Sequence, residues 1–357
     1  MPLRRLDDLR LPAQLGRYRL VERLGRGSFG IVYRGEVVGP VGFTEQVALK
    51  VAEPTVAAAE PERVLAMADE ASLLRHVRHP GIVALRGFES LEHPELGALP
   101  ALVLEYVDGT TLAKMWGVSR MQGRPIELAA LLDIADQLLD ALEHAHSATD
   151  SSGRALNLVH RDLKPENLMI DLRGRLRLLD FGIAWAVEKR VQTATGLTKG
   201  TPPWMSPEQI TGQPLDRRSD LFVVGMLLFE LLSSAQYVER QRMPRALVPL
   251  LRAIVSTEFA TRRSALLAGL ARNHGLHGKA ADGLADLLAG LLALQPRDRP
   301  ASAGLARLKL HGLSARLDWR PGSGANALVT RARAVRELDR PDIDATAGTT
   351  DSVKTID

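Results

Sequence analysis

Cysteine is absent from all 357 residues, which excludes a disulfide framework, a thiolate metal site and a thiol nucleophile. A strong charge of one sign is missing too. With 46 basic and 42 acidic side chains the formal charge is +4, and the basic excess is scattered apart from short runs such as Arg217-Arg218 and Arg262-Arg263, so nothing argues for a nucleic-acid partner. Long apolar runs are also lacking. The longest, Leu221 to Leu232 and Leu284 to Leu294, fall short of the roughly 20 residues that cross a bilayer, and each carries an acid. Both read as buried helices, and no membrane segment is expected in this chain. Asp7, Asp8 and Arg10 interrupt what would have to be the apolar core of a signal peptide, so a cytoplasmic protein is expected. No internal repeat is visible.

What is present is a chain 45% hydrophobic and 25% charged, which suits one large domain or two lobes sharing a cleft. From Tyr18 to Leu104 the runs Arg19 to Gly25, Ile31 to Val37, Gln46 to Val51 and Ala101 to Leu104 are short, β-prone and punctuated by Gly and Pro. One helix interrupts them: Val64, Met67, Ala71 and Leu74 recur at three and four between Glu62 and Val77, and Pro80 follows. After Asp108-Gly109 the pattern turns helical, with Leu131, Ala135, Leu138 and Leu142 on one stripe of Leu128 to His146. Asp150-Ser151-Ser152-Gly153 is a turn cluster. From about Ser314 the chain becomes rich in Arg, Ala, Asp and Thr without a sustained period, the composition of a solvated tail. The division expected is an N-terminal extension over 1–17, a domain over 18–312 with lobes at 18–104 and 105–312, and a disordered tail over 313–357.

The chemistry-bearing residues follow in order. Gly25-Arg26-Gly27-Ser28-Phe29-Gly30-Ile31-Val32 lies between two strand-like runs, where glycines let a hairpin backbone approach phosphates and offer amide donors. The β-rich sequel argues against a dinucleotide site, which continues as a helix with an acid about 20 residues on. Val47-Ala48-Leu49-Lys50 alternates, so Lys50 can reach a cleft, and a desolvated lysine needs a carboxylate, for which Glu70 on the amphipathic helix is the candidate. Ordinary solvated charges are the plain alternative for this pair taken alone. His160-Arg161-Asp162-Leu163-Lys164-Pro165-Glu166-Asn167 supplies what phosphoryl transfer needs. Asp162 would orient the attacking hydroxyl and Lys164 would stabilise the phosphoryl group in transfer. Asn167 and Asp180 of Asp180-Phe181-Gly182 would offer the hard oxygens that magnesium favours.

In order and spacing these motifs resemble the bacterial eukaryotic-like, or Hanks-type, Ser/Thr protein kinases, myxobacterial members especially, from about Tyr18 to Leu310. The resemblance implies an α+β, bilobal protein-kinase fold: a small β-rich lobe with one main helix and a larger, mostly helical lobe. It implies ATP and Mg2+ as cofactors, with Gly25, Gly27, Ser28, Phe29, Gly30 and Lys50 around the phosphates. Leu102 to Gly109 would be the hinge, with Leu104 as gatekeeper, the Glu105 carbonyl and Val107 amide on the adenine edge, and Val32, Ala48 and Met169 on its faces. Glu208 would pair with Arg299, and Asp220 would brace the catalytic loop near His160. Lys164 and Thr201 fit Ser/Thr acceptors, since tyrosine kinases replace the lysine region with alanine and arginine. Arg161 implies control by phosphate on an activation segment holding Thr193, Thr195 and Thr198. Protein substrates, and self-association for trans-autophosphorylation, are the partners implied. A kinase-fold scaffold with little transfer activity and a small-molecule phosphotransferase are the alternatives. Gln236 to Gly283 matches the family poorly.

Overall fold

The computed structural model describes residues 5–27, 29–38, 42–181, 204–236 and 259–339, with side chains in the last stretch from 262. An upper lobe is built on a six-stranded antiparallel sheet of order β1-β2-β3-β4-β6-β5. Its strands are β1 (Ala13–Leu15), β2 (Tyr18–Arg26), β3 (Gly30–Val38), β4 (Thr44–Ala52), β5 (Leu85–His93) and β6 (Gly97–Glu105). Alternation explains why they pair as they do. Ile31, Tyr33, Val47, Leu49, Val51, Leu99, Ala101 and Val103 form one apolar cluster behind the sheet. Val32, Ala48, Lys50 and Leu104, one residue out of step, take the other face. The register sets Val32 and Leu102 beside Lys50, and Leu104 beside Ala48.

Between β4 and β5 run helices α1 (Pro54–Ala59) and α2 (Pro61–Leu74), each with proline in its first turn, where the missing N–H costs nothing. The face of α2 carrying Ala66, Met67, Glu70, Ala71 and Leu74 is buried.

The lower lobe holds α3 (Leu112–Met121), α4 (Leu128–His146), α5 (Pro207–Thr211), α6 (Arg218–Ser233), α7 (Phe259–His274), α8 (Gly278–Leu291) and α9 (Ala303–His311). A three-stranded sheet of β7 (Gly109–Thr111), β8 (Leu168–Asp171) and β9 (Leu176–Leu178) faces the upper lobe. Helix α6, apolar over most of its length, is buried from Ser219 to Ser233, the carboxylates of Asp220 and Glu230 included. The lobes share backbone as well as side chains. Val83 N donates to Leu178 O at 3.0 Å and Leu178 N to Gly81 O at 2.8 Å. Leu74, Val77 and Ile82 belong to the lower core.

Two expectations from composition are corrected. The stretch before Tyr18 is not a mere extension: β1 is one of the sheet's two edge strands, Leu6, Leu9 and Leu15 are buried in the upper core, and Leu6 N donates to the buried Glu53 carboxylate at 3.1 Å while Tyr33 Oη donates to Leu6 O at 3.0 Å. The disordered tail expected from 313 is in fact folded as far as 339, as α10 (Ser314–Leu317) and α11 (Ala325–Leu338). Its anchor is distant in sequence. Asp133 of α4, almost fully buried, accepts from Trp319 Nε1 at 2.8 Å, Gly322 N at 2.9 Å and Gly324 N at 2.7 Å. Leu328, Ala332 and Val335 then bury one stripe of α11. Residues 340–357 lie outside the described ones.

Candidate active site

The upper wall of the cleft comes from β2, β3 and β4. The turn after Gly25 closes through Gly27 N donating to Gly30 O at 2.9 Å. Gly30 is there because nothing larger fits: a Cβ would sit 1.9 Å from Val51 O. Phe29 turns inward among Ala52, Met67, Ala71 and Leu102, with the Arg63 guanidinium 5.1 Å from its ring centre. Ser28 and Gly182 fall outside the described residues.

Lys50 Nζ reaches across the cleft to Asp180 Oδ1 at 2.9 Å. The expected pairing with Glu70 is therefore not a direct bond here, because Asp180 holds the ammonium. Glu70 stays within electrostatic range of Lys50. Burial would lower the Lys50 pKa, but Asp180 and Glu70 raise it well above the ordinary lysine value. Burial would likewise raise Asp180, and the ammonium beside it brings the carboxyl below the usual range. Among the described residues Glu70 has no such bonded cation. Burial pushes its pKa up to about 7 against the pull of Lys50.

The lower wall is the loop between α4 and β8. Asp162 Oδ2 is 2.6 Å from Lys164 Nζ, and Asn167 Nδ2 donates to the Asp162 carbonyl at 2.8 Å and to its carboxylate at 2.9 Å. With its amide nitrogen so committed, Asn167 keeps its carbonyl oxygen as the end that suits a cation. The buried His160 ring donates from Nε2 to Leu179 O at 2.8 Å and accepts the Asp162 N–H at Nδ1, 3.3 Å away. That is the pattern of a neutral imidazole, and burial holds its pKa below the ordinary value. Phe181 packs on this ring at 4.8 Å between centres.

Arg161 has the left-handed φ of 68°, a strained setting for a non-glycine residue that its neighbours must over-determine. Asp220 takes the His160 and Arg161 amide protons at 2.9 and 3.1 Å and that of His146 Nε2 at 2.7 Å. Although burial disfavours the charge, these donors hold the Asp220 carboxyl below its ordinary pKa. From the other side Gln209 Nε2 donates to Arg161 O at 2.7 Å while its Oε1 accepts from Ser206 N at 2.9 Å. Arg161 Nε is buried with no hydrogen-bond partner among the described residues. Arg299 grips Glu208 in a buried two-pronged pair at 2.6 and 2.9 Å. Thr193, Thr195, Thr198 and Thr201 lie outside the described residues.

The hinge runs out of β6. Leu104 and Glu105 are half-buried, Val107 is buried, and Met169, paired with Thr111, is half-buried. The Glu105 side chain is engaged by Ala84 N and Arg177. Sequence reasoning passed over His146, Arg177 and Gln209. Gln209 carried a signal: Ser206-Pro207-Glu208-Gln209 has the spacing of a capping box, which α5 forms. A single His at the end of α4 carried none.

The family profile described as protein kinase domain matches residues 18–309, and the chain belongs to that family. It is 34% identical over 232 residues to tyrosine-protein kinase MasK of Myxococcus xanthus, covering 63% of this chain and 34% of that one. It is 30% identical over 332 residues to serine/threonine-protein kinase pkn3 of the same species, covering 90% and 55%. The chain thus spans from a third to about half the length of these curated relatives. The crystallised kinase domain of Mycobacterium tuberculosis PknI shares the fold, with a TM-score of 0.55 at 22% identity, covering 85% of this chain and 99% of that domain.

Proposed function

We propose that this chain is an ATP-dependent protein kinase that transfers the γ-phosphoryl group to Ser or Thr hydroxyls of proteins, its own activation segment among them. One observation carries the reading: Lys50, Asp162, Lys164, Asn167 and Asp180 meet in one cleft through direct bonds, with Lys50–Asp180 joining its two walls. Asp162 orients the acceptor hydroxyl and takes its proton as transfer proceeds. Lys164, already on Asp162, faces the charge that develops on the moving phosphoryl group, and Lys50 holds the phosphates that remain. Asn167 and Asp180 are the residues that would hold magnesium, which when bound neutralises phosphate charge. Two protein oxygens suit an ion that keeps water and phosphate as its other ligands. Leu104, Glu105, Val107, Val32, Ala48 and Met169 would seat the adenine. We place the reaction in the cytoplasm. A second acceptor reading has one finding behind it, the tyrosine-kinase name of MasK. Lys164 favours Ser/Thr.

The test is phosphate transfer from ATP with magnesium, to the chain itself and to a generic basic protein, by wild type, Asp162→Asn and Lys50→Met. Asp162→Asn should lower turnover by about 10² to 10⁴-fold with nucleotide binding kept. Equal transfer by wild type and variants would leave a scaffold. Phosphotyrosine in place of phosphoserine and phosphothreonine in the hydrolysed product would move the chain to the other acceptor class.

A further inference from the structure

Helix α11 lies beyond residue 309, where the family match ends, yet it is seated against the element that leaves the hinge. Its contacts run to β7, β8, α3 and α4. The approach is close enough to exclude a side chain: Gly174, at the β8–β9 turn, has room only for hydrogen because a Cβ would lie 2.7 Å from Ala325 O, at the start of α11. The N-terminal end of the helix is fixed by the Asp133 cap and by Arg331, whose guanidinium bonds both Glu127 oxygens and Pro125 O. Its C-terminal end then presents Arg336 to Asp108, at 3.0 Å, while Asp339 meets Lys114 at 2.7 Å. Asp108 is the residue after Val107. Its carbonyl accepts from Leu172 N at 3.1 Å, and Gly109 beside it pairs with Asp171. The Glu22 carboxylate of β2 and Tyr106 lie within electrostatic range of Arg336. Tyr106 is approached from the upper lobe by Arg34, 6.0 Å from its ring centre and bonded to Glu22.

We propose that α11 is a brace behind the hinge and that Arg336 is a positioning residue for the adenine-binding backbone, acting through Asp108. The inference rests on the kinase reading given above. Asp108 follows Val107 directly, so a fixed Arg336 restricts the peptide that leaves the residue whose amide is proposed to meet the adenine edge. The pair is partly open to solvent, with Arg336 and Asp108 side chains 34% and 54% exposed, so its worth to folding is slight. Restriction of the free hinge removes an ordering cost from nucleotide binding instead. Such an effect is confined to the adenine end. It should be felt equally by a ligand with phosphates and one without.

The test titrates ATP and adenosine separately into the 357-residue chain as wild type, Arg336→Ala, Arg336→Lys and Arg333→Ala, by calorimetry, with thermal unfolding alongside. Arg333 is an exposed cation of the same helix. Arg336→Ala should weaken both ligands by the same factor, about three- to fivefold, the scale of one partly exposed charge pair, with Tm moved by less than about 2 °C. Arg336→Lys should recover part of the loss and Arg333→Ala should match wild type. Unchanged binding in Arg336→Ala, a loss seen with ATP alone, an equal loss in Arg333→Ala, or a fall in Tm that accounts for the loss would each overturn the brace. If wild type binds neither ATP nor adenosine, the kinase reading itself falls, and the brace with it.

Discussion

The two walls of the cleft hold their charged groups in different ways. In the lower wall the bonds that set the path of the catalytic loop run within the lobe, Asp220 to the His160 and Arg161 amides, Gln209 to the Arg161 carbonyl, His160 to Leu179 and Asn167 to Asp162, while Arg161 Nε stays without a partner among the described residues. In the upper wall the ionic bond of Lys50 crosses to the other lobe, and Glu70 stands buried without a bonded cation among the described residues. A network whose members satisfy one another is rigid, whereas a buried acid with a raised pKa is a group whose partner can be exchanged. The lower wall is prepared before any ligand arrives. In the upper wall Lys50 bonds Asp180 with Glu70 in electrostatic range, and under the proposed function nucleotide phosphates would compete for the same ammonium.

This contrast can be broken by experiment, most severely at Asp220. Its replacement by Ala strands two backbone amides and the buried His146, and should cost about 3–5 kcal/mol in urea unfolding. A loss under about 1 kcal/mol would mean that the lower wall does not depend on this carboxylate. Lys50→Met comes next. Transfer should fall by about a hundredfold or more while Tm of the apo chain shifts little, since the pair it breaks is partly exposed; a large drop in Tm would show that the upper wall is as rigidly built as the lower. For Glu70 the sign follows from proton counts. With its pKa near 7 in the folded chain and 4.5 as reference, the folded state holds more proton between those values, so stability falls as pH rises through that window. Glu70→Gln should remove that fall, at most about 3 kcal/mol, in urea titrations at pH 5 and 7.5 without nucleotide. Parallel curves for variant and wild type would refute it. Gln209→Ala is expected to be the mildest, about 1–2 kcal/mol for two lost bonds, with kcat reduced more than KM for ATP because the nucleotide side of the cleft is untouched.

Much of this was legible in residue order. The Leu128 to His146 stripe is α4, the β-prone runs are β2, β3, β4 and the end of β6, and alternation alone turns Lys50 and Ala48 away from the upper core. The residues of the catalytic loop sit together because they are adjacent in sequence, so a string of eight already contains the local geometry. What was not legible depends on partners far away. Glu70 and Lys50 were set as a pair by type and element, but which acid Lys50 takes is decided by Asp180, 130 residues on. The stretch from 314 to 339 reads as polar because its buried stripe is short and partly alanine, at Leu328, Ala332 and Val335. The residue that holds the turn before it, Asp133, is an acid on the buried face of a helix 186 positions earlier. Leu6, Leu9 and Leu15 likewise show no period, since each enters the core from a turn or a short edge strand.

The segment from Leu6 to Leu15 has one more consequence. Its leucines, its hold on Glu53 and the bonds of Asp7 to Arg23 and Arg26 make it a ligand of the upper lobe that happens to share its chain. Tethering gives such a ligand a high effective concentration. As a separate peptide, with only a short apolar stripe and a few exposed ion pairs, it would meet the full cost of association. The strands on both sides of the glycine turn are thus held by a contact that depends on covalent continuity at Gly16 and Arg17, and a single cut there would release them without altering any residue of the cleft.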